Sequence, residues 1–120
     1  MKVTDYYPII YTDNVAAELP RYELLGYTVK HRPHIEKLDY AVLENDKGRR
    51  IDLVCSYFPA DTFSEGFLGM RANVDNFEEG VAWFGEQGYV LFGEPHETES
   101  SITALLTKNN KSFIVLFKHK

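Results

Sequence analysis

Apolar and polar residues alternate along several short stretches of the chain. In "LGMRANVDN" (68–76), Leu68, Met70, Ala72 and Val74 fall on one side of an extended chain, and Gly69, Arg71 and Asn73 on the other. Strands are predicted near residues 3–11, 26–32, 38–44 and 50–56, and again near 67–74, 88–93, 102–107 and 112–118. Two stretches read with helical spacing instead. Over 76–87, Phe77, Val81 and Phe84 recur with that period, joined by Ala82, and predict an amphipathic helix. Over 14–25, Pro20 removes a backbone donor and clashes with the preceding turn, so a kink or an interruption is expected.

The two halves repeat one another. "YTDNVAAELPRYELLGYTVKHRPH" (11–34) and "NVDNFEEGVAWFGEQGYVLFGEPH" (73–96) superimpose without a gap at an offset of 62, with identities at Asp13/Asp75, Asn14/Asn76, Gly26/Gly88, Tyr27/Tyr89, Pro33/Pro95 and His34/His96. The Asp-Asn pair suits a helix start, the Gly a left-handed helix end, and the Pro the close of the following strand. A one-residue shift extends the match to "YAVLENDKGRRIDLV" and "ITALLTKNNKSFIVL", each two strands joined by a turn, at Asn45–Gly48 and at Asn109–Asn110. One unit of strand, helix and three strands is written twice. Between the copies, "YFPADTFSEG" is long enough to fold over something, which makes it a candidate lid or interface segment.

Composition narrows the partners. A chain of 120 residues buries about two thirds of its unfolded surface, enough for a core without disulfides. No apolar run approaches the roughly 20 residues that span a bilayer, and "MKVTDYYPII" lacks a signal-peptide core, so no membrane role is expected. The single Cys55 forms no internal disulfide, which points to a reducing cytoplasm. Thirteen Lys and Arg stand against eighteen Asp and Glu, a net charge of −5 without a basic stripe, so nucleic acid is not an expected partner.

The doubled unit, carried by "LLGYTV" (24–29), "GFLGMRANVDNFEEGVAWFGEQGYV" (66–90) and "NNKSFIVLFK" (109–118), resembles the vicinal oxygen chelate superfamily of glyoxalase, extradiol dioxygenases and bleomycin-resistance proteins. The resemblance covers essentially the whole chain. It implies an α+β fold of two tandem βαβββ modules (1–57 and 66–120, joined by a 58–65 linker) within a single domain, 1–120. Their curved mixed sheet would surround a cleft, with the helices outside. The cleft would receive Tyr6, Pro8 and Ile10 from the first strand, Asp52 and Val54 from the fourth, Gly69, Arg71 and Asn73 from the fifth, and Val115 and Phe117 from the last. A slip of one residue in the first strand exchanges Tyr6 for Tyr7. Leu53 would then lie behind the sheet with Ile51 and Cys55.

Metal-dependent members of that superfamily place His, Gln or Glu ligands on four cleft-facing strands, and these positions fall here on Tyr6, Asp52, Gly69 and Val115. Only Asp52 suits a divalent ion, and Gly69 and Val115 offer no side-chain donor. The resemblance is therefore to the metal-free, bleomycin-resistance-like branch, with no metal or other cofactor expected.

Other chemistry-bearing residues have plain structural roles. His34 and His96 follow a Pro at a strand end and read as solvated turn residues. His31 and His34 fall on opposite faces of an extended chain, and His119 is in a frayed tail. Cys55 reads as a small buried hydrophobe, and Glu78 and Glu79 as first-turn carboxylates favoured by the helix dipole. Arg71 and Asp52 differ, because a charge on a partly desolvated face requires a partner. A salt bridge across the cleft and a ligand contact serve equally well. Three functions follow: a protein that binds or sequesters a small organic molecule, flat or cationic, without a metal, its contacts drawn from Tyr6, Pro8, Asp52, Val54, Arg71, Asn73 and Phe117; a metal-independent lyase or isomerase using Asp52 as base and Arg71 or Tyr6 as electrophile; or a dimeric interaction module with a filled cleft. A homodimer is expected in each case, and Trp83 fits the outer edge of its helix or a subunit contact.

Overall fold

The computed structural model describes residues 1–33, 39–55 and 66–120. His34 and most of the "YFPADTFSEG" segment lie outside the described residues. The elements run β1 (Val3–Tyr11), α1 (Val15–Leu24), β2 (Tyr27–His31), β3 (Asp39–Asn45), β4 (Arg50–Cys55), β5 (Gly66–Val74), α2 (Phe77–Glu86), β6 (Val90–Leu91), β7 (His96–Glu97), β8 (Ser101–Lys108) and β9 (Ser112–His119). The fold is mixed α+β, with two helices against many strands. It divides into two compact units, Tyr7–Leu68 and Met1–Tyr6 with Gly69–Lys120. Strand β1 thus contributes its first residues to one unit and its last to the other.

In the Tyr7–Leu68 unit β4 pairs with β1 in parallel and with β3 antiparallel, and β2 flanks β3. Asn14 caps α1, its side chain accepting from the Ala17 N–H at 3.1 Å. The helix is not interrupted: α1 runs through Pro20. The carbonyl that loses its donor there belongs to Ala16, and both residues are exposed, so water can satisfy it. Val15, Tyr22, Ala41, Leu43 and Leu53 form the core beneath α1, with Ile10, Ile51 and Cys55 packed against it. Leu53, Ile51 and Cys55 therefore lie behind the sheet, as the alternation required.

The second unit rebuilds this arrangement. Strand β9 pairs with β5 in parallel and with β8 antiparallel, and β6 and β7 both flank β8. The strand predicted over 88–93 is only the two residues of β6, and β7 was not anticipated. Asn76 caps α2 by accepting from Glu79 N–H at 3.0 Å, as Asn14 caps α1. Both helices are followed by a left-handed glycine, Gly26 at φ 95° and Gly88 at φ 97°. Asn109 and Asn110 take φ values of 56° and 55°, which turns β8 back on β9.

Ala72, Val74, Phe84, Leu106, Ile114 and Leu116 form the core under α2, with Met70, Phe77 and Val81 against it. Ala82 is exposed instead, and the buried Gly80 packs tightly against the sheet, where a Cβ would lie 3.1 Å from Leu116 Cδ2. Each module also holds an edge-to-face aromatic pair between its helix and the residue that opens or directly precedes the next strand, Tyr22–Tyr27 at 6.1 Å and Phe84–Tyr89 at 5.7 Å.

At the start of the chain, Lys2 N–H donates to Asp75 Oδ1 at 2.7 Å and Asp75 N–H to the Lys2 carbonyl at 3.1 Å. These bonds tie the first residues of β1 to the end of β5.

Candidate functional site

Two sheet faces turn away from the helices, one in each unit, and they differ in chemistry. In the Tyr7–Leu68 unit the pairings Ile9↔Asp52 and Ile10↔Leu53 fix the sides. Leu53 and Ile10 pack toward α1, so Asp52 shares its face with Tyr7, Ile9 and Tyr11. This corrects the register expected for the first strand. Pro8 and Ile10 take the α1 side, and Tyr6, 54% exposed, is turned away from Tyr7 by the same alternation. The position carried over from the superfamily's first ligand therefore falls on Tyr7, not Tyr6. Val54 remains on the Asp52 face, opposite Tyr11.

Asp52 is 2% exposed. Its Oδ2 accepts from the Tyr7 hydroxyl at 3.4 Å, and that hydroxyl accepts from Arg50 Nη2 at 3.3 Å. The Arg50 guanidinium carbon also lies 4.4 Å from the Tyr7 ring centroid. Arg50 and Asp52 are two residues apart on one strand, hence on one face, and Tyr7 bridges them from β1. The spacing "RID" carried this signal, but Arg50 was overlooked because its partner depended on the first strand's register. Tyr7, Ile9 and Tyr11 are buried with Asp52, so this face is closed.

The corresponding face of the second unit is half-exposed. Arg71, Asn73, Val115 and Phe117 share it, as the alternation in "LGMRANVDN" required, because Ala72 and Leu116 occupy the α2 side. The Arg71 guanidinium carbon lies 4.2 Å from the Phe117 ring centroid, and its Nε donates to Asn73 Oδ1 at 2.9 Å. His119 is not in a frayed tail. It pairs with Ser101 in the ladder and sets its ring edge-on to Phe117 at 4.7 Å.

Gly69, opposite Phe113, accounts for the close approach of β5 to β9. A Cβ there would run into the Phe113 carbonyl, 2.7 Å from its carbon. No side chain fits at this position, one of the four that bear metal ligands in the superfamily. Val115, on the same face, offers no side-chain donor either. Among the described residues no three His, Cys, Asp or Glu come together as a metal-holding group.

Cys55, half-buried, directs its thiol to the Asp13 carbonyl at 3.4 Å, and burial, then Asp39 and Asp13, push its pKa up. It is not an activated nucleophile. His31 sets its ring edge-on to Tyr40 at 6.0 Å, and His96 lies in β7 rather than in a turn. A pocket of about 230 Å³ opens at the end of β1 beside α1, lined by Tyr11, Thr12, Glu18 and Arg21 among others; neither Asp52 nor Arg71 lines it.

No protein-family model and no curated protein matches the sequence. Solved structures do match in fold. Methylmalonyl-CoA epimerase from Mycobacterium tuberculosis superimposes with a TM-score of 0.72 at 16% identity, covering 97% of this chain and 88% of that one. A hypothetical protein from Bacillus halodurans C-125 gives 0.71 at 17%, covering 99% and 94%. A glyoxalase/bleomycin resistance protein/dioxygenase superfamily member from Vibrio splendidus 12B01 gives 0.64 at 16%, covering 97% and 98%. The chain has the fold these proteins share, that of the vicinal oxygen chelate superfamily.

Proposed function

We propose that the chain binds a small organic molecule on the open sheet face of its second unit, without a divalent metal. The observation that carries this reading is Arg71, half-exposed yet held at two points, by the Phe117 ring and by Asn73. A guanidinium fixed in this way has given up its side-chain freedom before any ligand arrives, so less entropy is lost on binding. Asn73, Phe117 and Arg71 are the contacts retained from the sequence reading, whereas Asp52 and Val54 belong to the closed face. The reading includes a homodimer in a reducing cytoplasm.

A thermal-shift screen of small organic molecules tests it, with each hit recovered and weighed by mass spectrometry. A hit that raises the melting temperature, returns unchanged and keeps its effect in EDTA supports binding. Hits that all depend on added metal, or the absence of any hit, refute it.

The Arg50–Tyr7–Asp52 chain favours a second reading, metal-independent acid–base catalysis. A buried carboxylate hydrogen-bonded to a phenol is poised to take a proton, and several fold neighbours are methylmalonyl-CoA epimerases, one solved with methylmalonyl-CoA. The same screen run in D2O separates the two readings. Deuterium incorporated into a hit by wild type but not by Asp52→Asn assigns catalysis to this chain.

A further inference from the structure

We infer that the pocket at the end of β1 is a further binding site, in the Tyr7–Leu68 unit, for a small organic cation whose ammonium head pairs with Glu18. The helix pattern is the first ground. Val15, Leu19 and Tyr22 form the stripe of α1 that packs on its core, and Glu18 falls on that stripe at the same spacing. Its side chain is 29% exposed and lines the pocket. A carboxylate on a core-facing stripe costs desolvation unless a cation meets it.

The repeat is the second ground. At the offset of 62, Thr12 and Glu18 correspond to Val74 and Gly80. In the second unit these two close on each other, since a Cβ on Gly80 would lie 3.4 Å from Val74 Cγ2. The βαβββ module therefore needs neither a cavity nor a carboxylate at this place. The first module puts a threonine, 3% exposed, and a glutamate at the same two positions, and both line a pocket of about 230 Å³. Ile10 supplies apolar surface beside them for the body of a ligand. That volume equals about seven waters at roughly 30 Å³ each and falls below the roughly 300–1,000 Å³ of a drug-sized site, so the occupant is small.

Arg21 is the competing cation. Its Nη2 donates to Glu18 Oε2 at 2.9 Å and to the Tyr22 hydroxyl at 3.3 Å. Arg21 is 65% exposed, however, and an ion pair with so exposed a partner is worth little. It gives way to an ammonium that also carries apolar surface out of water into the pocket. Glu18, the less exposed of the two, sets the sign of the ligand, and a net charge of −5 on the chain favours the same sign.

The experiment titrates the 15N-labelled full chain, at constant ionic strength, with n-butylammonium, n-butanol and butyrate, one alkyl chain carrying a cationic, a neutral and an anionic head. Arg21 Nε–H and the amides of Ile10, Thr12 and Glu18 report binding. n-Butylammonium should shift these signals with an affinity about tenfold or more above that of butanol, and butyrate should leave them unmoved. Glu18→Gln should lower that affinity about tenfold; it keeps the shape of the side chain, and the equivalent position in the second unit folds with glycine. Arg21→Gln should raise it about threefold by removing the competing cation, and Glu86→Gln on α2 should change nothing. Butanol or butyrate binding here as tightly as n-butylammonium overturns the cation assignment. So does n-butylammonium that leaves the signals in place, binds Glu18→Gln as tightly, or gains nothing from Arg21→Gln. The reading of the second unit's open face stands or falls separately, on the amides of Arg71, Asn73 and Phe117 and on the small-molecule screen.

Discussion

Gly69→Ala tests whether the β5 position is closed to any side chain. A Cβ there would lie 2.7 Å from the Phe113 carbonyl carbon and 3.2 Å from its Cα. Carbon atoms rest at about 3.5 Å or more and the Phe113 carbonyl oxygen lies nearer still, so β5 and β9 would have to part by at least about 0.8 Å. A ladder bond of about 2.9 Å stretched by that amount is no longer a hydrogen bond. Losing two such bonds at about 1 kcal/mol each, together with overpacking of 1–3 kcal/mol, gives a destabilisation of about 3–5 kcal/mol. That is a large part of the roughly 5–15 kcal/mol by which a domain is stable, and corresponds to a fall in melting temperature of about 10 °C or more. Urea unfolding monitored by circular dichroism measures it. Gly85→Ala is the control, since a Cβ there meets nothing within 4 Å and lies in a helix, where Ala is favoured over Gly by about 0.5–1 kcal/mol. A Gly69→Ala protein within 1 kcal/mol of wild type would show that β5 has room for a side chain and would reopen the metal question.

Asn14→Ala and Asn76→Ala should each cost about 1 kcal/mol in urea unfolding, because each removes the acceptor for an orphan helix N–H; a cost for one and none for the other would break the equivalence of the modules. Cys55, its pKa raised by burial ahead of Asp39 and Asp13, holds less thiolate than a free cysteine at any pH below that raised value. Ellman's reagent at pH 8 should therefore label native protein more slowly than urea-unfolded protein, and equal rates would contradict the assignment. Leu24 and Leu25 are 90% and 65% exposed, while the repeat-equivalent positions are Glu86 and Gln87, so the fold does not require leucine there. Light scattering should place wild type at twice 13.8 kDa and a Leu24→Glu, Leu25→Gln variant closer to 13.8 kDa; a monomeric wild type would remove the homodimer.

The elements readable in the sequence are those whose two faces differ. Strand β5 alternates Met70, Ala72 and Val74 with Gly69, Arg71 and Asn73, and the structure sorts them accordingly, the first set against α2 and the second on the open face. The repeat supplied a second check, since Asn14/Asn76 and Gly26/Gly88 do the same work at each helix end. Where pairing rather than alternation decides, reading failed. Strand β7 is two residues long and depends on Thr103 and Ile102 across the ladder, partners that local sequence does not reveal. His119 looked like a tail residue for the same reason, although the ladder holds it against Ser101.

The first strand shows most clearly why the site was only half legible. In "VTDYYPIIY" both faces are rich in apolar and aromatic residues, Tyr6, Pro8 and Ile10 on one and Tyr7, Ile9 and Tyr11 on the other, so hydrophobicity alone assigns neither to the core. The choice is made by β4, whose faces do differ, Leu53 against Asp52. Burying a carboxylate is tolerable only beside a hydrogen-bond donor, and of the two neighbouring tyrosines Tyr7 is the one that shares the Asp52 face and carries a hydroxyl to Oδ2. Tyr6→Phe should therefore leave stability within about 0.5 kcal/mol, as expected of an exposed side chain, whereas Tyr7→Phe removes a donor from a buried carboxylate and should cost about 1–3 kcal/mol. Equal costs for the two variants, measured by urea unfolding, would mean that the first strand is not registered on β4 as Ile9↔Asp52. The Arg50–Tyr7–Asp52 chain would then have to be abandoned with it.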